Sequence, residues 1–326
     1  MNGKALKELE VAILGVGAVG RALSRALVGG GLVRAVRVWA RVEGGATELC
    51  DELREEHEVE DGRLELHALG DLGQAVSGAD LILLCVVDDS VAELAEAIAA
   101  ENSRAAEGAV ALHLSGYVRT GVLAPLRELG YATGGLHPLV SLSLGAGHRA
   151  EALSPFVGAH FALGGEAPAR ERAHELATAL GGIPFELAEH ESARALYHGA
   201  ASLLAGGVVA LFDAAEQMLG GAVDEGETTA RAALLALLQS TVRNLESGAP
   251  EQILTGPIRR GDRATVAGHL RALSRSEGAP ADVARTEALY RQLSLSMLDL
   301  VRRRGGADQQ ALDSIAALLD GTSNPD

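Results

Sequence analysis

Three residues able to hold and move a proton stand in two short segments: His137 in His-Pro-Leu-Val-Ser, and Tyr197 with His198 in Tyr-His-Gly-Ala-Ala. The only lysines are Lys4 and Lys7, at the very start of the chain. Schiff-base chemistry, a phosphate-loop lysine and a lysine proton donor are therefore excluded from the body of the fold. A proton for a developing alkoxide or amine must come from histidine, tyrosine, serine, threonine or water, and His198 or His137 is the expected acid. Each histidine also has a plain alternative: His137 as a loop residue fixed by Pro138, His198 as a satisfied helix residue at a domain seam. Further on, residues 254–262 read Leu-Thr-Gly-Pro-Ile-Arg-Arg-Gly-Asp, a rigid turn with convergent polar groups. There Arg260 offers a guanidinium fork that matches a carboxylate. Asp262 would orient Arg260 or cap the helix that follows, and Asn244 could hydrogen-bond a substrate or the loop that carries the Thr255 hydroxyl. No metal site is expected, since the ten histidines are scattered and Glu189-His190-Glu191 reads as a solvated helix start. Ser115 lacks the strand–turn–helix elbow of a hydrolase nucleophile.

Such residues need an electron donor, and the strongest segment of the chain supplies a place for one. Residues 11–14 are a short apolar run feeding Gly15-Val16-Gly17-Ala18-Val19-Gly20, after which apolar residues recur at helical spacing. Strand, glycine turn and helix in this order suit a dinucleotide. Gly15 allows the tight turn, Gly17 lets a pyrophosphate approach the backbone, and Gly20 lets the helix pack close to the strand. The free N–H groups at the helix start then face the phosphates. The second strand ends Trp39-Ala40-Arg41, with no acid before Glu43. Arg41 at that point favours the 2′-phosphate of NADP, while Glu43 keeps NAD open. Val87 and Asp88 end another apolar strand and are expected over the cofactor crevice, although Asp88 and Asp89 could instead cap the next helix. Ser115 falls where a loop would reach the nicotinamide or the substrate.

The elements that must position these groups follow from the alternation of apolar segments. Strand and helix signals alternate to about residue 190; from there to residue 326 the pattern is wholly helical. The expectation is an α/β fold: a doubly wound sheet over residues 1–190, then an all-α domain over 191–326. At 326 residues the chain can build two cores. A net charge of −16 argues against nucleic acid and anionic membrane as partners. No uninterrupted apolar run reaches the ~18 residues of a membrane span, and the first fifteen residues do not form a signal peptide. Cys50 and Cys85 form neither a disulfide framework nor a metal motif, so a cytoplasmic location is expected.

Taken together, these segments resemble Rossmann-like proteins with a DUF2520 helical domain, relatives of ketopantoate reductases, pyrroline-5-carboxylate reductases and 6-phosphogluconate dehydrogenases. The resemblance is carried by residues 15–20, 79–81 with 87–89, 113–116, 137–139, 197–201 and 254–262. It implies an NADP-linked oxidoreductase whose helical domain pairs two subunits as a homodimer. Some relatives resemble alternative ketopantoate reductases, which implies a small 2-keto acid as substrate. A cyclic imine such as pyrroline-5-carboxylate is the second enzymatic reading. In one place the chain departs from the family, where Ser-Asn usually follows the Tyr-His motif on the same helix; here Ala205-Gly206 stand instead. That departure supports a third reading, an NADP-binding sensor or scaffold without catalysis.

Overall fold

The computed structural model describes residues 4–57, 64–101, 104–143, 155–188, 190, 192–220, 222–223, 227–275 and 280–323. The chain divides into two compact units, Met1–Ser202 and Leu203–Asp326.

The first unit is built on eight strands. In chain order they are β1 (Glu10–Leu14), β2 (Ala35–Trp39), β3 (Glu65–Leu69), β4 (Leu81–Leu84), β5 (Val110–His113), β6 (Ala132–Leu139), β7 (His160–Gly165) and β8 (Ile183–Glu186). Their order across the sheet is β3-β2-β1-β4-β5-β6-β7-β8. Strands β1 to β6 are mutually parallel, and β7 runs antiparallel to β6. The helices are α1 (Ala18–Gly29), α2 (Gly45–His57), α3 (Leu72–Val76), α4 (Val91–Ala100), α5 (Ala124–Glu128) and α6 (Ala167–Ala179). One face of the sheet packs Leu23 and Leu27 of α1, Leu49 and Leu53 of α2, and Ala173 and Leu176 of α6. The other packs Ala75 and Val76 of α3, Leu94 and Ile98 of α4, and Leu126 of α5. Coverage on both faces is why β1 and β4 read as unbroken apolar runs rather than alternating ones. The change of direction between β1 and β4 is the switch point at which such sheets hold ligands.

Strand β6 differs from the sequence expectation. A loop was expected from His137 onward, but the strand continues through His137 and Pro138 to Leu139. Its pairing with β5 ends at Gly135, whereas its pairing with β7 runs on to Leu139. Past Gly135 the strand is open on one side, where a proline removes no ladder bond.

Helix α7 (Ala193–Gly220) begins in the first unit and runs into the second. By length and composition it is apolar enough to cross a membrane, the one such helix among the described residues. Counting uninterrupted apolar runs missed it, because Ser202 and the glycines at 199, 206 and 207 break the run without lowering its average greatly. The second unit continues with α8 (Glu227–Ser247), α9 (Pro250–Ile253), α10 (Pro257–Arg260), α11 (Arg263–Ser274), α12 (Pro280–Arg304) and α13 (Gln309–Leu319). Its core joins Ile258, Val266, Leu270, Leu298, Leu312 and Ile315.

Candidate active site

The glycine turn has the geometry that its spacing demands. Gly15 holds φ at +119°, a region that side chains rarely adopt, and its N–H donates to the Trp39 carbonyl at 2.8 Å. A Cβ at Gly15 would collide with the Cys85 carbonyl, and one at Gly20 with the Gly15 carbonyl. A Cβ at Gly17 would meet nothing within 4 Å. Gly17 is also the N-cap of α1 and offers no side-chain bond to that helix's first N–H groups. Ala18 and Val19 form the first turn of α1, and the Val16 carbonyl accepts from Arg21 Nε at 3.1 Å. Open space in front of unpaired N–H donors fits a pyrophosphate. Arg41 follows β2, is exposed, and among the described residues has only a 3.8 Å ion pair with Glu93.

At the end of β4, Val87 is exposed and Asp88 half-buried. The alternative that these aspartates cap α4 is not what the structure shows. Its N-cap is Ser90, and no side chain bonds the helix start. Ser115 is buried, and its hydroxyl accepts from the N–H groups of Tyr117 at 3.1 Å and Val118 at 2.9 Å. It therefore shapes the β5 loop.

That loop faces the proton-bearing residues. His137 Nδ1 lies 2.6 Å from the Tyr197 hydroxyl, and the two rings meet edge-on with centroids 5.5 Å apart. The His198 ring stands 6.3 Å from His137 and 6.1 Å from Tyr117, and its Nδ1 is buried without a partner among the described residues. Gly116 makes room for His137: a Cβ there would stand 3.0–3.1 Å from three atoms of the ring. Burial depresses the His137 pKa to about 4, with neighbouring His198 and Arg194 adding to the effect and Asp88 opposing it. Burial pushes the Tyr197 hydroxyl up to about 12. The site is thus a neutral histidine hydrogen-bonded to a neutral tyrosine.

Behind it, His113 is fully buried, and burial, then Arg194, lower its pKa to about 3, with the Ser115 backbone opposing them. The unfolded chain binds protons on His113 and His137 near pH 6.5, and the folded protein refuses them until about pH 4 or below. Stability therefore falls as pH drops below about 6.5, and the loss is complete only below the folded values. A thermal melt at about pH 4.5 is expected to lie roughly 5–10 °C below one at pH 7. In His113→Asn the same acidification should cost about half as much; an equal slope would remove His113 from the account.

The remaining predicted residues belong to the second unit. Asn244 and Thr255 are exposed, as is Arg260 in the short helix α10. Asp262 caps α11: its carboxylate accepts from the Thr265 N–H at 3.0 Å and the Thr265 hydroxyl at 2.6 Å. These bonds hold its carboxyl below the ordinary range. Glu189 and Glu191 lie outside the described residues; among the described residues no group could hold a metal. Sequence reading overlooked Asp88 as a charge acting on His137, and gave no role to Gly116, Tyr117, His113 or Arg194. Only the histidine and glycine carried a signal, in the His-Leu-Ser-Gly segment.

The N-terminus of NAD-dependent glycerol-3-phosphate dehydrogenase matches residues 10–116, and the domain of unknown function DUF2520 matches residues 159–297. Comparison with curated protein sequences gives no match. Among solved structures, a candidate NADP oxidoreductase from Bacteroides fragilis is 22% identical, covering 90% of this chain and 99% of that one with a TM-score of 0.67. Pyrroline carboxylate reductase from Plasmodium falciparum, with NADP bound, is 10% identical, covering 96% and 99% with a TM-score of 0.54. An imine reductase from Streptomyces aurantiacus is 17% identical, covering 95% and 99% with a TM-score of 0.52. At these identities the likeness is one of fold. The first unit thus has a Rossmann-like fold that matches the N-terminus of NAD-dependent glycerol-3-phosphate dehydrogenase over residues 10–116, and residues 159–297 match the DUF2520 domain.

Proposed function

We propose that this protein is an NADPH-dependent reductase of a small carboxylate-bearing carbonyl compound, a 2-keto acid such as ketopantoate. The observation that carries the reading is the 2.6 Å His137–Tyr197 contact, in the same compact unit as the glycine turn and beside the β5 loop. The cofactor, when bound, supplies the hydride. The chain's part is to hold the carbonyl and deliver the proton. Tyr197 stays protonated throughout the neutral range, so its O–H can donate to the oxygen on which negative charge develops. His137 fixes the direction of that hydroxyl, and with its proton on Nδ1 it can replace the one Tyr197 gives up as Nε2 takes a proton from water. The same pair can protonate a developing amine. A cyclic imino acid is therefore the second reading, favoured by two fold neighbours named for pyrroline carboxylate and imine reduction.

Arg41 is our assignment for NADP over NAD. Its exposed guanidinium, held among the described residues by a long ion pair alone, can take a 2′-phosphate. Trp39, the single tryptophan, reports on the same strand end. In a fluorescence titration Arg41→Ala should weaken NADPH by about tenfold and leave NADH within about twofold. Equal losses for both nucleotides would withdraw the assignment.

The helical half is assigned to pairing two copies of the chain. Leu203, Leu204 and Val209 of α7 and Leu237 of α8 are each exposed by more than 60%. That much large apolar side chain on water marks an interface. Sedimentation of the intact protein is expected to give a dimer, and Leu204→Glu with Leu237→Glu a monomer; a monomeric wild type would contradict the pairing. The two free, buried thiols suit the cytoplasm.

A further inference from the structure

The unit Met1–Ser202 contains a basic cavity that the His137–Tyr197 pair does not itself use. Its volume is about 320 Å³, and its charged lining includes Arg119, Arg127, Arg170, Arg194, Glu166 and Glu186. Both glutamates are already engaged. Glu166 accepts from the Thr133 N–H at 2.8 Å and stands 3.5 Å from Arg127; Glu186 stands 3.5 Å from Arg170. That leaves Arg119 and Arg194, which make no hydrogen bond or ion pair among the described residues. Arg119 is exposed, but Arg194 is half-buried. Its guanidinium lies over a floor of glycine: a Cβ at Gly164 would stand 2.5 Å from Nη2, and one at Gly135 3.2 Å. Larger residues on β6 and β7 would displace it. A half-buried guanidinium with no acid paired to it among the described residues is costly, and burial lowers its affinity for the proton that charges it. In a chain of net charge −16, a local surplus of two positive charges is also against the average.

We propose that this cavity binds a small oxyanion, a carboxylate or a phosphate, held by Arg194 and Arg119. Guanidinium forks match both groups bidentately. Arg194 lies three residues before Tyr197 on α7, and its charge already acts on His113 and His137. An anion there offsets the Arg194 charge, which adds to the effect of burial on both histidines. The anion has two possible sources: the reducible substrate's own carboxylate, or a separate small anion. The first rests on the reductase reading; the cavity itself does not.

Calorimetric titration of malonate and of inorganic phosphate into the intact protein, at low ionic strength and with NADPH in excess, tests the assignment. Saturable binding of at least one probe is expected. Arg194→Met and Arg119→Gln should each weaken it about tenfold or more, and Arg285→Gln, a surface control, should leave it unchanged. Absence of saturable binding overturns the proposal. So does unchanged binding by a folded Arg194→Met, which would place the anion elsewhere, at the glycine turn for instance. Arg119→Gln alters an exposed side chain, and so keeps the test open if Arg194→Met does not fold. NADPH quenching of Trp39 in the same samples separates failure of this site from failure of the cofactor reading. In turnover assays malonate competes with the substrate if the cavity holds the substrate's carboxylate, and does not compete if the cavity holds a separate anion.

Discussion

Replacing Gly17 by valine is expected to leave the fold intact and to weaken NADPH by about a hundredfold, roughly 3 kcal/mol. Gly17 has φ of −72°, which any residue adopts, and space in front of it. A side chain there costs the folded protein little. It fills the volume through which a pyrophosphate would reach the first N–H groups of α1, and that approach is the main source of affinity at such a turn. Its neighbours should behave in the opposite way. Gly15→Ala forces a side chain into a positive-φ region and against the Cys85 carbonyl, and Gly20→Ala drives a methyl group into the Gly15 carbonyl. Each is expected to cost about 3 kcal/mol or more of stability, with nucleotide binding lost as a consequence. Thermal melts and Trp39 quenching, measured together on the three variants, check this. If Gly17→Val binds NADPH like the wild type, the turn does not hold the cofactor.

Removing the Tyr197 hydroxyl carries the largest expected effect on rate. Tyr197→Phe should lower kcat by about 10²–10³-fold, with KM and NADPH affinity each changed by less than about threefold. His137→Gln keeps a hydrogen-bonding side chain in the strand but loses the 2.6 Å relay, and should fall in the same range. The double variant should be little worse than either single one, because residues that act as a unit are not additive. Gly116→Ala tests the same geometry from behind: the new methyl must move the His137 ring, which a Cβ would approach to 3.0 Å. The pH profile is specific as well. With His137 near 4 and Tyr197 near 12, kcat has no limb from either residue between about pH 5.5 and 10. A limb near the ordinary histidine value in the wild type that vanishes in His137→Gln would show that His137 ionises normally and that the site is more open than described.

The nucleotide half of this arrangement was legible in the sequence because it is local. Strand β1, the turn and α1 are consecutive, and each glycine has a steric task that its spacing announces. The end of β6 was not legible. Pro138 reads as a strand terminator, and only the pairing partner on one side explains why the strand survives. The His137–Tyr197 bond joins residues sixty positions apart. Sequence singled out both, but their contact depends on how α7 starts against the sheet. Arg194 looked like any arginine near a helix start; its significance comes from having no acid paired to it among the described residues, which no local pattern reveals. The residues assigned to substrate from the 254–262 segment form a capped, partly exposed turn in a separate unit, with Asp262 occupied by Thr265. Local pattern could announce the cap, one of the two readings that the sequence allowed for Asp262.

The central claim is hydride transfer to a carboxylate-bearing C=O or C=N bond, and one measurement meets it directly. NADPH oxidation is followed spectroscopically with a panel of 2-keto acids and cyclic imino acids, wild type beside Tyr197→Phe. The account predicts turnover with at least one member of the panel and its loss in Tyr197→Phe. Quenching of Trp39 that shows NADPH bound, with no oxidation by any compound in the panel, would contradict it and leave a nucleotide-binding protein without catalysis.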